Sequence, residues 1–208
     1  GSRNLPLSVV VLIPNSVGPA ELIAHHGTKE QKERFLPRLA AGEEIPCFAL
    51  TEPNAGSDAA SLQSSGTAFR AADGSVQLRL EFRKRYITLA PVATLIGLAF
   101  RLRDPENLFG LGPEPGITVA LVDAGTPGLS IGRWHDPMGV PFPNGPVEGR
   151  DVVVPADRIL GGPGRGWKML MEALSAGRSI SLPAGAAAGA KAAVRYMGAY
   201  AAVRRQFG

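Results

Sequence analysis

The chain has 208 residues, 45% hydrophobic and 19% charged, so it can bury a core without needing a disulfide or a metal. Its formal net charge is +4, from 22 Lys and Arg against 18 Asp and Glu, and no block of like charges is long enough for a nucleic-acid-binding arm. A single cysteine, Cys47, excludes an internal disulfide, and the uncharged run at residues 86–100 is too short to cross a membrane.

The first predicted element is a helix pair, or one broken helix, over residues 19–41. Leu22 and Ile23 precede a break at Gly27, and Thr28 has a side chain suited to cap the helix that follows. The apolar Phe35 falls on that second helix.

Residues 45–160 change to short apolar or alternating runs bounded by Gly, Pro, Asn and Asp, which is typical of an all-β domain. The run at 76–82 alternates, so one face should be buried and the other solvated, whereas the run at 94–100 is apolar throughout and should be covered on both faces. Further strands are predicted at residues 117–122, 129–131 and 151–154.

After a glycine-rich run at 161–166 the pattern is helical again, over residues 167–176 and then over an Ala-rich stretch at 182–203. The glycine run lacks the strand and the downstream acid of a dinucleotide fingerprint, so we interpret it as a flexible lead into a helix. Ala and Gly in the last stretch favour close helix contact in a bundle. The predicted fold is α+β, with a central antiparallel β-barrel or sandwich flanked by helices.

The most informative stretch of the chain is ALTEPNAGSD at residues 49–58, where hydroxyl, carboxylate and glycine residues follow an apolar run. Thr51, Ser57 and the free N–H groups of such a turn can donate hydrogen bonds to the carbonyl or phosphate oxygens of a buried cofactor. The stretch therefore indicates a ligand-binding loop. The alternative is a surface turn capped by Asn, Asp or Ser side chains.

Three segments occur in the order found in one family: residues 49–61, KRYIT at 84–88 and RRQFG at 204–208. With them the chain resembles the acyl-CoA dehydrogenases, flavoproteins that desaturate fatty acyl-CoA thioesters between the α and β carbons. Residues 27–37 are also similar to the family. Residues 46–51, 84–91 and VPFPNGP at 140–146 resemble in particular its large bacterial enzymes of fatty-acid β-oxidation.

The resemblance implies FAD as the cofactor. Phe48, Leu50 and Thr51 would line the flavin ring, with Thr51 hydrogen-bonded to its polar edge. Tyr86 and Thr88 stand where the family has Trp-x-Thr, so the ring of Tyr86 would pack on the flavin and the Thr88 hydroxyl would reach the hydride-accepting nitrogen.

Leu89 replaces the Asn that usually follows this Thr, which leaves one local hydrogen bond unaccounted for. Ser57 would lie near the pantetheine arm of the acyl-CoA, and Arg178 falls near an Arg that helps to arrange the substrate pocket.

Near the chain end, Arg204, Gln206 and Phe207 match the part of the family that contacts the adenine-dinucleotide end of FAD on a neighbouring subunit. An Arg guanidinium suits a pyrophosphate because its planar fork pairs with two oxygens. The alternative is a solvated Arg pair closing a helix. The implied partners are a fatty acyl-CoA, an electron-transfer flavoprotein and further copies of the chain, in the cytoplasm or at the membrane of a bacterium.

The family takes the α-proton with a Glu of its C-terminal helical domain, and no acid of this chain matches it. Glu52 is expected to accept backbone hydrogen bonds instead, and His25, His26 and His135 belong to no triad or metal-ligand spacing.

We therefore predict an inactive fragment, with the end of an N-terminal helical domain at 1–44, a β domain at 45–160 and the start of a C-terminal helical domain at 161–208. An acyl-CoA oxidase stays an alternative. A non-catalytic β-barrel interaction domain is a second one, but it has no need of the three hydroxyls of Thr51, Ser57 and Thr88.

Overall fold

A computed structural model describes residues 18–136, 139 and 143–207, and for Leu174, Ala176, Arg178 and Ser181 only the backbone. Its helices and strands confirm the α+β prediction. None of the helices in these ranges is both long and apolar enough to span a bilayer. In chain order the elements are α1 (Pro19–His26), α2 (Lys29–Ala41), β1 (Pro46–Ala49), β2 (Ser65–Arg70), β3 (Val76–Thr88), β4 (Leu95–Arg103), β5 (Gly116–Asp123), β6 (Leu129–Ile131), β7 (Asn144–Pro155), β8 (Ile159–Leu160), α3 (Gly166–Ala176) and α4 (Leu182–Val203).

The break between α1 and α2 is made by a capping box. The Thr28 hydroxyl oxygen accepts from the Gln31 backbone N–H at 3.2 Å, and the Thr28 N–H donates to Gln31 Oε1 at 3.1 Å. Gln31 is itself buried, and its Nε2 donates to the carbonyls of Asp157 and Ile159 at 2.7 and 2.9 Å. The cap therefore also fastens α2 to the far end of the β domain.

The eight strands form one sheet in the order β6-β7-β3-β2-β4-β5-β8, with β1 beside the start of β4. Most pairs are antiparallel, but β1 and β2 both run parallel to β4, so the predicted antiparallel sheet is in fact mixed. β1 pairs with residues 95–98 of β4 and β2 with residues 101–103, while β5 occupies the other edge. The loop that joins β1 to β2 is thus anchored at both ends along one edge of β4.

β4 separates two apolar cores, which confirms that it is covered on both faces. Ile96, Leu98 and Phe100 point into a core enclosed by the sheet, whereas Leu95 and Ala99 pack with the core that includes residues of α1, α2 and α3. The alternating strand β3 likewise buries one face.

The glycine-rich run before α3 is held closely by the sheet, so its interpretation as a flexible lead needs correction. Gly164 donates its N–H to the Thr118 hydroxyl at 2.9 Å. A Cβ at Gly164 would lie 2.4 Å from the Pro115 carbonyl oxygen, and one at Gly166 would lie 2.8 Å from the Ile117 carbonyl oxygen. These glycines allow backbone to approach backbone.

α4 has the predicted bounds, and none of its residues is buried. Val194, Tyr196, Met197 and Tyr200 are among its large exposed side chains. Its predicted contact in a helix bundle therefore stays a prediction.

Gly97 of β4 leaves room for Phe48, its partner across the parallel pair with β1. A methyl group at Gly97 would sit 2.8 Å from Phe48 Cδ2 and 3.1 Å from Pro19 Cβ. We expect Gly97→Ala to lower the free energy of unfolding by about 1–3 kcal/mol through overpacking. Denaturant unfolding measures this, with Gly125→Ala as the control, because a methyl there meets nothing within 4 Å. Equal stability of the two variants would contradict the prediction.

Candidate active-site edge

A buried ion pair joins the loop after β1 to strand β3. Lys84 Nζ lies 2.8 Å from Glu52 Oε1 and 3.1 Å from the Leu50 carbonyl oxygen, and the Lys84 side chain is fully buried. The other donors to Glu52 are the backbone N–H groups of Gln63, at 2.7 Å, and Ser64, at 3.0 Å. The prediction that Glu52 accepts backbone hydrogen bonds is confirmed, and its partner Lys84 was missed as a site residue.

Burial and pairing act in opposite directions on the two charges. Burial lowers the pKa of Lys84 to about 8, against the pull of Glu52, which favours the charged ammonium. For Glu52, burial by itself raises the pKa, but the donors from Lys84, Ser64 and Gln63 outweigh it and hold the pKa below its ordinary value. The carboxylate is therefore kept ionised, and its oxygens are already occupied.

The loop itself is compact, and a backbone hydrogen bond also joins it to β3. Glu52 and Ala55 exchange backbone hydrogen bonds at 3.0 and 3.3 Å, and the Arg85 N–H donates to the Thr51 carbonyl at 2.9 Å. Thr51 is half-buried, as are Phe48 and Leu50, which pack against the core on the helix side of the sheet, while Ser57 is exposed. Two segments far apart in sequence thus meet along one edge.

A β-bulge turns Tyr86 outward on β3. The register with β7 shifts between Lys84 and Ile87, so Arg85 and Tyr86 are both exposed between two buried residues. Tyr86 has φ 58°, in the left-handed region, and its side chain is 53% exposed. The Arg85 guanidinium lies 4.5 Å from the ring centroid and the His135 ring 5.0 Å away, which leaves part of the aromatic surface open.

Two residues beyond the bulge, Thr88 is held by the neighbouring strand. Asn144 Nδ2 is 3.4 Å from Thr88 Oγ1, and Asn144 Oδ1 is 2.7 Å from His135 Nδ1. Leu89 follows with φ 66° and is buried, so its side chain provides no donor. An amide does stand beside Thr88, but it comes from Asn144 of β7.

The predicted site residues near the chain end make no described contact with this edge. Arg204 and Gln206 are exposed, Phe207 is 99% exposed, and Arg204 Nη1 bonds the Tyr200 hydroxyl at 2.8 Å. The backbone of Arg178 lies in the π turn Gly177–Ser181, and its side chain is outside the described part. The described part of the structure also leaves out all of residues 1–17, residues 140–142 of the VPFPNGP segment and Gly208.

Cys47, His26 and His135 have partners or packing of their own, and His25 is exposed. Cys47 is buried in the sheet core, and burial raises the pKa of its thiol to about 12, so it is inert. His26 lies 3.8 Å from Glu172 of α3, and His135 is engaged with Asn144. The described residues contain no cluster of three or more metal-ligating side chains.

The edge combines apolar, hydroxyl and aromatic groups. Phe48 and Leu50 are half-buried and apolar, Thr51 and Thr88 bring half-buried hydroxyls, and Tyr86 exposes aromatic surface. None of the five lines either of two cavities, of about 600 Å³ beside the α1–α2 junction and about 410 Å³ behind Glu52. The edge is therefore an open surface.

Comparison with known families gives a match for the β domain and the helices before it. Residues 47–152 match the acyl-CoA dehydrogenase middle domain, and residues 1–43 match the acyl-CoA dehydrogenase N-terminal domain. The chain belongs to the acyl-CoA dehydrogenase family. The members of this family are oxidoreductases that bind FAD, and the resemblance stated from the three motifs is confirmed.

Individual relatives agree with the family match. A probable acyl-CoA dehydrogenase of Mycobacterium tuberculosis, FadE10, is 36% identical over 97% of this chain and 30% of its own length. Protein HemX of Proteus mirabilis is 49% identical over 49% of this chain and 61% of its own length. The chain thus spans less than two thirds of these curated relatives.

Solved structures of the family have the same fold. Butyryl-CoA dehydrogenase from Megasphaera elsdenii is 34% identical, with a TM-score of 0.78 over 95% of this chain and 49% of the other. An acyl-CoA dehydrogenase from Bacillus anthracis, complexed with FAD, is 28% identical, with a TM-score of 0.77 over 92% of this chain and 30% of the other.

The buried pair gives a double-mutant prediction. We expect Lys84→Met to lower the free energy of unfolding by about 3–5 kcal/mol, because it leaves the Glu52 carboxylate buried without its counter-ion. Combining it with Glu52→Gln removes that charge, so the double variant should be more stable than Lys84→Met alone. Urea unfolding of the wild type, both single variants and the double variant measures the coupling. Additive effects would show that the pair is not energetically linked.

The same pair predicts the pH dependence of stability. Folding lowers the pKa of Glu52. The stability that this carboxylate contributes is therefore complete at pH values above its ordinary pKa, and it is lost as the pH falls through the lower pKa of the folded state. The pKa of Lys84 is about 8 in the folded protein, against an ordinary value of 10.5. Between these two pH values the unfolded chain binds more protons at this group than the folded protein, so the free energy of unfolding rises with pH there.

The double variant lacks both groups and serves as the reference in urea unfolding at several pH values. We expect the wild type to lose stability relative to it in acid and to gain between about pH 8 and 10.5. A difference that is constant with pH would contradict both assignments.

Proposed function

We propose that this chain carries the flavin-facing wall of an FAD-dependent acyl-CoA dehydrogenase, which oxidises a fatty acyl-CoA to the trans-2-enoyl-CoA. The observation that carries the proposal is the edge built around Lys84. One buried ammonium bonds the carbonyl of Leu50 and the carboxylate of Glu52, and so holds the loop bearing Thr51 against the strand bearing Tyr86 and Thr88. A scaffold protein has no need of these groups on one open edge.

Each residue at the edge has a separate task toward the flavin. Phe48 and Leu50 present apolar surface that excludes water from one side of the ring, and Tyr86 offers its exposed face for packing. The hydroxyls of Thr51 and Thr88 donate to polar atoms at the ring edge, where charge develops during reduction. FAD, when bound, supplies the acceptor for the hydride that leaves the β carbon of the substrate.

The base that removes the α-proton is assigned to another segment of the enzyme. Glu52 is unsuited, because both of its oxygens already accept hydrogen bonds and its charge is compensated by Lys84. A base must instead be free to take a proton at the substrate. This chain by itself is therefore proposed to be inactive.

Substrate and partner contacts are assigned to the exposed parts of the chain. Ser57 is proposed to contact the pantetheine arm of the acyl-CoA, which its exposure on the loop supports, and Arg178 is proposed to arrange the pocket. The exposed Arg204, Gln206 and Phe207 are suited to reach FAD bound by another copy of the protein, which supports a homo-oligomer. Electron-transfer flavoprotein is proposed as the acceptor that reoxidises the enzyme.

The three-part division at residues 44/45 and 160/161 and a location in the bacterial cytoplasm or at its membrane belong to the same proposal. The change from helix to strand between α2 and β1, and from strand to helix between β8 and α3, supports the division.

FAD titration followed by the flavin absorption spectrum tests the proposal. Two proteins are compared, this chain and a longer version that includes the C-terminal helical domain of the family. We expect the longer protein to bind FAD and to lose its yellow colour anaerobically with a long-chain acyl-CoA, while this chain binds FAD weakly or not at all and gives no enoyl-CoA.

Each other outcome has a defined meaning. Absence of FAD binding by both proteins at high micromolar concentration would overturn the proposal and favour an interaction domain. Desaturation by the 208-residue chain alone would overturn the assignment of the base to another segment. Rapid consumption of oxygen during turnover of the longer protein would identify an acyl-CoA oxidase instead of a dehydrogenase.

A further inference from the structure

Thr88 is tied to strand β7 by a short chain of side-chain hydrogen bonds. Thr88 and Asn144 are direct partners in the β3–β7 ladder, and Asn144 Nδ2 donates to Thr88 Oγ1 at 3.4 Å. Asn144 is buried, and its Oδ1 accepts from His135 Nδ1 at 2.7 Å. The His135 backbone N–H adds a bond to the Asn144 carbonyl at 2.8 Å. Asn144 is thus held by two bonds from a single residue.

The orientation of the Asn144 amide in the structure sets the direction of each bond. An amide oxygen only accepts, so His135 must carry a proton on Nδ1, and the amide nitrogen of Asn144 then faces Thr88. A hydroxyl has one hydrogen to donate. Because Thr88 Oγ1 accepts from Asn144, its own hydrogen is left to donate to another acceptor.

We infer that Asn144, held by His135, is a positioning residue that sets the Thr88 hydroxyl as a donor to the bound flavin. The inference rests on the proposed function, since it requires FAD at this edge. The family usually has an Asn after this Thr, where this chain has Leu89. In the inference, Asn144 of β7 supplies the side-chain amide that Leu89 cannot. The left-handed backbone of Leu89 and its N–H bond to the Pro143 carbonyl at 2.7 Å bring the two strands together at this level.

Asn144→Asp separates this role from a merely structural one. The carboxylate has nearly the same shape but can only accept, so the Thr88 hydroxyl would turn to donate to it and be lost to the flavin. Thr88→Val removes the hydroxyl itself. Asn107→Asp is the matched control, because Asn107 Oδ1 only accepts, from the Gly112 N–H in an exposed loop, and the substitution retains that acceptor.

The first measurement is the absorption spectrum and midpoint potential of FAD bound to the longer protein. We expect Asn144→Asp and Thr88→Val each to shift the spectrum and the midpoint potential, and in the same direction. The variant that combines Asn144→Asp with Thr88→Val should shift them no further than Thr88→Val alone. Asn107→Asp should leave both quantities unchanged. If Asn144→Asp leaves the bound flavin as in the unmodified protein, or if the two shifts add, the inference is wrong. If the unmodified protein binds no FAD, it is the proposed function that has failed.

A second measurement needs no flavin. Nitrogen-15 NMR of the imidazole ring in this 208-residue chain should show His135 with the proton on Nδ1, and Asn144→Leu should release that preference. A proton on Nε2 alone in the unmodified chain would overturn the hydrogen-bond direction on which the inference depends.

Discussion

The buried contact between Lys84 and Glu52 is the constraint on which the candidate site depends. A charge inside the sheet is tolerated only with a counter-ion and with hydrogen bonds for its remaining atoms, and both conditions are met here. Lys84 donates hydrogen bonds to Glu52 and to the Leu50 carbonyl, while Glu52 also accepts from the backbone N–H groups of Gln63 and Ser64. Neither the loop nor the strand can move without leaving a buried charge unpaired, so the separation between the two halves of the edge is fixed.

The backbone is irregular where the edge meets the proposed flavin. Tyr86 and Leu89 both have positive φ without being glycine, a conformation that persists only where the surrounding structure imposes it. The bulge places Lys84 inside and Tyr86 outside, although regular alternation would put both on one face. A single extra residue thus gives the strand an internal anchor and an external aromatic surface within three positions.

The open surfaces of the chain agree with a site that other parts of an enzyme complete. The edge with Thr51, Tyr86 and Thr88 is not enclosed by any of the described elements, and α4 exposes its large apolar side chains. Apolar surface of this kind is common where another domain or subunit packs. The β domain, in contrast, encloses one core, shares a second with the helices and holds a buried ion pair, so it supplies the rigid part of the arrangement.

The sequence by itself determined the family and most of the elements, although it did not predict strands β2 and β8. Residues 182–203 and 129–131 have the predicted bounds, Thr28 caps its helix, and the three motifs identify the acyl-CoA dehydrogenases, because helix spacing, strand alternation and capping are local properties of the chain. The tertiary structure alone decided which distant residues meet. The parallel pairing of β1 and β2 with β4, the pairing of Lys84 with Glu52, and the contact of Asn144 with Thr88 join segments 32 to 56 residues apart, and no local pattern encodes such contacts. The outward turn of Tyr86 depends on a register shift against β7, which exists only once the two strands are paired.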